Sequence, residues 1–427
     1  MQELVTASSH STSAGLLEAY TTIRKRSEDL CAPLEVEDYC AQPIPSVSPP
    51  KWHLAHTTWF FETFILQPYL PDYRVFDSKF NYLFNSYYDT IGPYFPREDR
   101  GSLSRPLVKE VFEYRSYADE AMAQILANRM SADIDARLRL GLNHEQQHQE
   151  LIVTDLKYIL GKNPLRPRYV DAVPTPRSSA LGSLSYSKFS GGVVDVGANL
   201  GDADFLFDNE SPRHKVFLSP YSLANRVITN GEFREFIQDG GYDQPSLWLS
   251  DGWSEKNKNN WRAPEYWEWR DGQWLEYTLG GETDLEPSHP VTHISLYEAD
   301  AFARWAGARL ATEFEWEHAA ANWSLPTTVN LAQRDSFHPS VAQGNGHASQ
   351  MLGDCWEWTS SSYAPYPGFR PLNGALGEYN GKFMANQFVL RGGSCATPPE
   401  HIRRSYRNFF YARDRWQFTG IRLAQDG

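Results

Sequence analysis

Two histidines four residues apart, in Asn143-His144-Glu145-Gln146-Gln147-His148-Gln149-Glu150, offer the plainest chemistry in the chain. On a helix they stand one turn above each other, so both imidazoles can reach one metal ion. The flanks are helical: Ile134, Leu138, Gly141 and Leu142 precede the pair, and Leu151, Ile152 and Leu156 follow it. Spacing alone leaves open a pair satisfied by core hydrogen bonds or simply solvated. His144 to His148 also fits H-E-x-x-H, the zinc-protease pattern in which Glu145 would be the general base. Neither a third histidine just downstream nor an inverted variant accompanies it, and the next histidine is His214. A third ligand is better sought upstream. There Trp52-His53-Leu54-Ala55-His56-Thr57-Thr58-Trp59-Phe60-Phe61 holds two histidines at helical-neighbour spacing.

These residues need a scaffold, and the pattern supplies one. Residues 13–31 keep a helical period through Leu16, Leu17, Tyr20, Ile23 and Leu30, behind Ser13 as cap. Five prolines make 32–50 a loop, and a second helix resumes over 51–67. An irregular stretch, 68–104, precedes a third helix opened by Pro106 and running to residue 127. The histidine helix then spans 132–160, ended by Gly161. Four helices with one long crossover make a bundle, a scaffold that commonly binds metals between facing helices. Beyond it the chain turns rich in proline, serine and glycine, and then in glycine-punctuated aromatics. Short helices fit 230–238, 295–305 and 312–321; Ser295 with Glu298 and Thr312 with Glu315 form capping boxes. The organisation expected is α+β multidomain: a helical bundle over 1–165, a linker over 166–189 and a loop-rich domain over 190–427. No internal repeat is visible.

Composition bounds the partners. A length of 427 residues suggests two domains. A net charge of −13 argues against a nucleic-acid or anionic-membrane partner. Four cysteines, at 31, 40, 355 and 395, form neither a CxxC pair nor a dense framework, which fits a reducing cytoplasm. Met1-Gln2-Glu3-Leu4-Val5 lacks the basic and apolar regions of a signal peptide, and no apolar run is long enough to span a bilayer. The aromatic content of 14% suggests aromatic-walled pockets or a domain built on large ordered loops.

Five motifs in the second half carry a resemblance. They are Phe207-Asp208-Asn209-Glu210-Ser211-Pro212-Arg213-His214, His289-Pro290-Val291-Thr292-His293-Ile294-Ser295, Arg309-Leu310-Ala311-Thr312-Glu313-Phe314-Glu315-Trp316-Glu317, Gly353-Asp354-Cys355-Trp356-Glu357-Trp358-Thr359 and Leu390-Arg391-Gly392-Gly393-Ser394. Together they resemble the formylglycine-generating-enzyme-like (sulfatase-modifying-factor) domain, which has a C-type-lectin-like fold. Joined to a DinB-like four-helix bundle carrying Trp52…His56 and His144…His148, they resemble the ergothioneine-biosynthesis sulfoxide synthases, or hercynine oxygenases.

That resemblance implies a mononuclear non-haem iron(II) enzyme using O2 as co-substrate. Its reaction joins the sulfur of γ-glutamylcysteine or cysteine to the imidazole C2 of hercynine (Nα-trimethylhistidine) and leaves a sulfoxide. The family's three histidine ligands match His56, His144 and His148, whereas His53 points about 60° away from His56 around the helix. Ligand type alone would suit Zn²⁺ as readily as Fe²⁺. The resemblance further implies a proton-donating tyrosine, with Tyr87 and Tyr88 the candidates. It also implies thiol-carboxylate binding by Arg97 and Arg100, and hercynine contacts from Gln147 and Asn408. Each has a plainer alternative: an aromatic seal, a solvated charged turn, an exposed helix glutamine and a loop-capping asparagine. Formylglycine generation needs a cysteine pair near the carboxy terminus, and Arg403-Arg404-Ser405-Tyr406-Arg407-Asn408-Phe409-Phe410-Tyr411 has none. The second domain is therefore expected to complete the substrate pocket. A zinc hydrolase and a non-catalytic metal-stabilised scaffold stand as rivals. The sequence chooses neither the thiol nor the oligomeric state, and it admits a homo-oligomer and a structural Ca²⁺.

Overall fold

Every residue of the helix Pro50–Phe61 is buried. A helix buried all round belongs in the middle of a domain, and three others surround this one in the computed structural model. We number them α1 (Ser13–Cys31), α2 (Pro50–Phe61), α3 (Val108–Leu126) and α4 (Ala132–Lys162). The structure describes residues 13–128, 131–171, 182–199, 201–342 and 348–427. The Met1–Val5 terminus and residues 172–181 of the expected linker lie outside them.

Pro50 at the first turn starts α2 without wasting a backbone donor, and Ser131 caps α4 by accepting the Ile134 N–H. Gly141 lies where α4 passes α2: a Cβ there would come within 2.6 Å of the Phe61 ring. Leu16, Tyr20, Phe61, Ile65, Met122, Leu138 and Leu142 fill the apolar core among the four helices. Gly161 does not end α4, which continues to Lys162 with Gly161 buried inside it. Directly after α2 the chain makes a π-helical turn, Glu62–Leu66. The buried Glu62 carboxylate there accepts from Tyr73 Oη (2.7 Å), Tyr114 Oη (2.7 Å) and Phe76 N–H (3.1 Å). It thereby ties the long crossover back to the bundle.

Two compact units result. One comprises residues 1–163 with 203–205 and 371–379; the other comprises 164–202, 206–370 and 380–427. In the second unit one sheet orders its strands Tyr186–Phe189, Tyr221–Ala224, Leu423–Asp426 and Arg309–Leu310, so the carboxy-terminal strand lies inside it. Another orders Asn408–Tyr411, Gln387–Arg391, Trp356–Ser362 and Thr419–Gly420. Smaller sheets of two and three strands complete the unit. Helices Asn230–Gln238, Leu296–Trp305 and Glu313–Asn322 form where expected, each behind a capping box. A further helix, Ser250–Lys258, was not expected. Its Gly252 packs so closely on Tyr297 that a Cβ would come within 2.6 Å of that ring.

Several of the motif residues turn out to be core ion pairs. Arg422 makes two hydrogen bonds of 2.8 Å to Glu357, which also accepts from Trp316 Nε1 at 2.7 Å. Arg407 grips Glu313 through two nitrogens at 2.8 and 3.0 Å. Such a bidentate fork satisfies charges that burial would otherwise make costly. Among the described residues no helix is long and apolar enough to cross a membrane.

Candidate metal centre in the bundle

His56 on α2 and His144 and His148 on α4 meet at the centre of the bundle. Each can offer a nitrogen within 4.8 Å of the others, and ring centroids lie 4.6–4.9 Å apart. All three are buried. Burial, reinforced by the neighbouring imidazoles, holds His56 and His148 well below the ordinary histidine range. Burial likewise pulls His144 down to about 3. The imidazoles are therefore neutral, as ligation requires.

The hydrogen bonds settle which atoms face inward. His56 Nδ1–H donates to the Phe84 carbonyl at 2.6 Å, so its Nε2 carries a lone pair. That Nε2 faces His144 Nε2 at 3.2 Å, and His144 Nδ1 is buried with no hydrogen-bond partner. In either tautomer of His144 one nitrogen is left unsatisfied. A cation between the two Nε2 atoms turns facing lone pairs into bonds, so this donor set fits a divalent metal. Trp52 stacks on His56 at 4.5 Å and 12°, and Trp59 stacks on it at 5.6 Å and 16°. The orientation of the His56 ring is thus fixed by packing on both faces.

The other residues singled out in the sequence fall into different places. His53, beside the cluster, bonds to His148 and Asp155. Arg100 lies with its guanidinium 3.3 Å from the Trp52 ring centroid. It donates to Ser48 Oγ at 2.9 Å and Ser86 Oγ at 3.2 Å, and its Nε has no partner. No carboxylate among the described residues pairs with it. Burial and the nearby Arg97 charge hold its pKa well below the usual arginine range, outweighing the attraction of the Asp155 and Glu98 carboxylates. Arg97 is exposed and donates to the Ser46 carbonyl.

Tyr88 is fully buried against Trp59, Phe64 and Tyr87. Burial, then the Tyr87 charge, raises its phenol well above the ordinary range. Asn85 holds the turn ahead of it, accepting Tyr88 N–H and donating to the Tyr88 and Gly92 carbonyls. The phenol at the histidines is one the sequence did not point to. Tyr379 belongs to the 371–379 segment of the bundle unit, and its ring lies 5.5 Å from that of His144. Its O–H donates to Gln147 Oε1, and Tyr87 meets its ring edge-on at 6.4 Å. The neighbouring Glu378 carboxylate accepts the Asp89 and Thr90 N–H groups at 3.0 Å each. This clasp fixes the segment, and no local sequence signal announces it. Asn408 opens a strand of the second unit, where its Oδ1 accepts Phe409 N–H at 2.9 Å.

Glu145 is not available as a general base. Its oxygens accept from Arg24 (3.0 Å), Ser27 (2.8 Å) and Arg115 (3.0 Å). Burial pushes its pKa up, but Arg24 and Arg115 outweigh that and lower it. The H-E-x-x-H reading thus loses the base its chemistry requires.

The DinB superfamily model matches residues 19–152, and the sulfatase-modifying factor enzyme 1-like domain matches 185–329 and 333–427. Hercynine oxygenase from Mycolicibacterium smegmatis is 32% identical over 410 residues, covering 90% of this chain and 92% of that protein. The chain belongs to the hercynine oxygenase family. The Mycobacterium tuberculosis hercynine oxygenase is 34% identical over 307 residues, 67% of this chain and 70% of that one. Ergothioneine biosynthesis protein 1 of Schizosaccharomyces pombe is 28% identical over 256 residues, 55% of this chain and 31% of that protein. Membership accounts for the pairing of a DinB-type bundle with a sulfatase-modifying-factor-type domain. Cys355 and Cys395, the two cysteines of that second half, are both buried.

Proposed function

We propose that this protein is an iron(II)- and O2-dependent sulfoxide synthase of ergothioneine biosynthesis. It would join hercynine C2 to the sulfur of γ-glutamylcysteine or cysteine. The reaction balances with one O2 per turnover. A C–H and an S–H bond are lost, a C–S and an S–O bond form, and the second oxygen leaves as water. The observation that carries this reading is the trio of buried neutral histidines beside a buried arginine whose Nε makes no hydrogen bond among the described residues.

His56, His144 and His148 would hold the iron, which when bound supplies O2 activation and a site for the thiolate. Arg100, braced on Trp52, has the charge and the unused N–H to take a carboxylate of the thiol substrate. Arg97, already engaged at the surface, contributes less in this reading. Gln147 and Asn408 would contact hercynine, Asn408 on the resemblance alone. Among the phenols Tyr379 is favoured as proton donor, because it combines contact with His144 and an O–H oriented by Gln147. Tyr87 and Tyr88 then serve as its packing neighbours.

The test is metal analysis of anaerobically purified protein joined to an oxygen electrode with hercynine and each thiol. Bound iron and O2 uptake requiring both substrates are expected. Bound zinc with no O2 uptake would sink the reading. Tyr379→Phe should keep iron and shift product from sulfoxide towards thiol-derived sulfinate, since removing the proton donor leaves sulfur oxidation as the easier course. An unchanged product ratio, or the same shift from Tyr88→Phe instead, would remove Tyr379 from the role.

A further inference from the structure

His148 is held by a chain of hydrogen bonds that no ligand motif requires. Its Nδ1 lies 2.8 Å from His53 Nδ1, and His53 Nε2 lies 3.0 Å from Asp155 Oδ2. The same carboxylate oxygen accepts the Ser48 N–H at 2.8 Å. All three side chains are buried. A carboxylate only accepts, so His53 Nε2 must carry the proton that bonds to Asp155. A neutral His53 then has a bare Nδ1, and the only bond it can make to His148 is by accepting. His148 Nδ1 must therefore be the N–H, and its lone pair is left on Nε2.

Resting on the iron-site reading above, we propose that His53 and Asp155 are positioning residues for His148. Together they select its tautomer and ring orientation so that Nε2 is presented to the metal. The arrangement is paired across two helices. Helix α2 supplies the ligand His56 and, three residues earlier, the holder His53. Helix α4 supplies the ligand His148 and, two turns later, the carboxylate Asp155. His56 gets the same service from the Phe84 carbonyl, so two of the three candidate ligands have Nδ1 fixed by an acceptor. Asp155 also steadies the entry to α2 through Ser48, so the cleaner variants are made at His53. An imidazole held by an acceptor at its far nitrogen is both oriented and a stronger donor, and losing such a partner typically weakens metal binding about 10–100-fold.

The test reads binding rather than turnover, using Co²⁺ added anaerobically to the full-length metal-free protein and its visible bands. His53→Leu should keep the band shape, because no ligand is lost, while raising the dissociation constant about 10–100-fold. His53→Gln should restore affinity to within about threefold, since its amide can donate to Asp155 and accept from His148. Wild-type affinity in His53→Leu would overturn the proposal. So would altered bands in both variants, which would make His53 a ligand. A second measurement needs no variant: long-range ¹H–¹⁵N spectra of the metal-free protein should show His148 as the Nδ1–H tautomer and His53 as Nε2–H. The reverse assignment would refute it. Failure to oxygenate hercynine would count against the enzymatic reading and leave these measurements standing.

Discussion

Helix α4 carries two buried polar clusters next to each other, and they are built on opposite principles. Around Glu145 every charge meets its partner. Arg24 reaches Glu145 and Asp119, Arg115 reaches Glu145 and Glu28, and Ser27, Thr57 and Thr58 take further bonds. Around His144 the accounts stay open: two Nε2 atoms face each other, and among the described residues neither His144 Nδ1 nor Arg100 Nε has a hydrogen-bond partner. A closed cluster holds helices together, while an open one awaits ligands. Similar residue types, one position apart in the sequence, thus serve structure on one side of the helix and chemistry on the other.

Substitutions should separate the two. The largest effect is expected at the open cluster's nitrogens. His56→Leu, His144→Leu or His148→Leu should abolish measurable Fe²⁺ binding while leaving the metal-free protein at least as stable to urea. An iron-replete variant would break the contrast. Next, Glu145→Ala removes the buried anion that Arg24 and Arg115 share, leaving each only its partly exposed partner, Asp119 or Glu28. It should destabilise the metal-free protein by about 3–5 kcal/mol in urea unfolding; a loss under 1 kcal/mol would mean the closed cluster holds little together.

Smaller in energy, Arg100→Leu should raise the thiol substrate's KM at least tenfold, with little change for hercynine and no loss of stability. Its unpaired charge is a cost to the fold rather than a gain. Arg97→Leu, whose guanidinium rests on the Ser46 carbonyl at the surface, should move the same KM by less than about threefold. Equal effects would put both arginines at the substrate.

The gentlest probe is pH. Histidines held below their ordinary 6.5, with His144 near 3, bind fewer protons folded than unfolded. Stability is then fully present above about pH 6.5 and falls as pH drops toward 3, by up to about 1.4 kcal/mol per pH unit for each histidine involved. Substituting one of the four by Leu should flatten that slope in urea titrations at pH 4–6. An unchanged slope would show that these imidazoles are not the groups responsible.

Much of this was written locally. The spacing of His144 and His148 needs only a helix to align them, and Ser295 with Glu298 and Thr312 with Glu315 mark helix starts by contacts three residues long. Such signals are legible because the interacting atoms are neighbours in the chain. Local rules failed where packing intervened. Gly161 looked like a stop, yet the buried helix ran past it; Ser250–Lys258 showed no apolar period, yet folded as a helix against Tyr297. The sequence by itself determined the bundle, the loop-rich second domain and the histidines' common helical face. Tertiary structure alone decided that Glu145 is locked by Arg24 and Arg115, that Asp155 reaches His53, and that Tyr379 meets Gln147 across 232 positions. Contacts between residues so far apart leave no periodicity behind, because the backbone between them is free to take any course that closes the core.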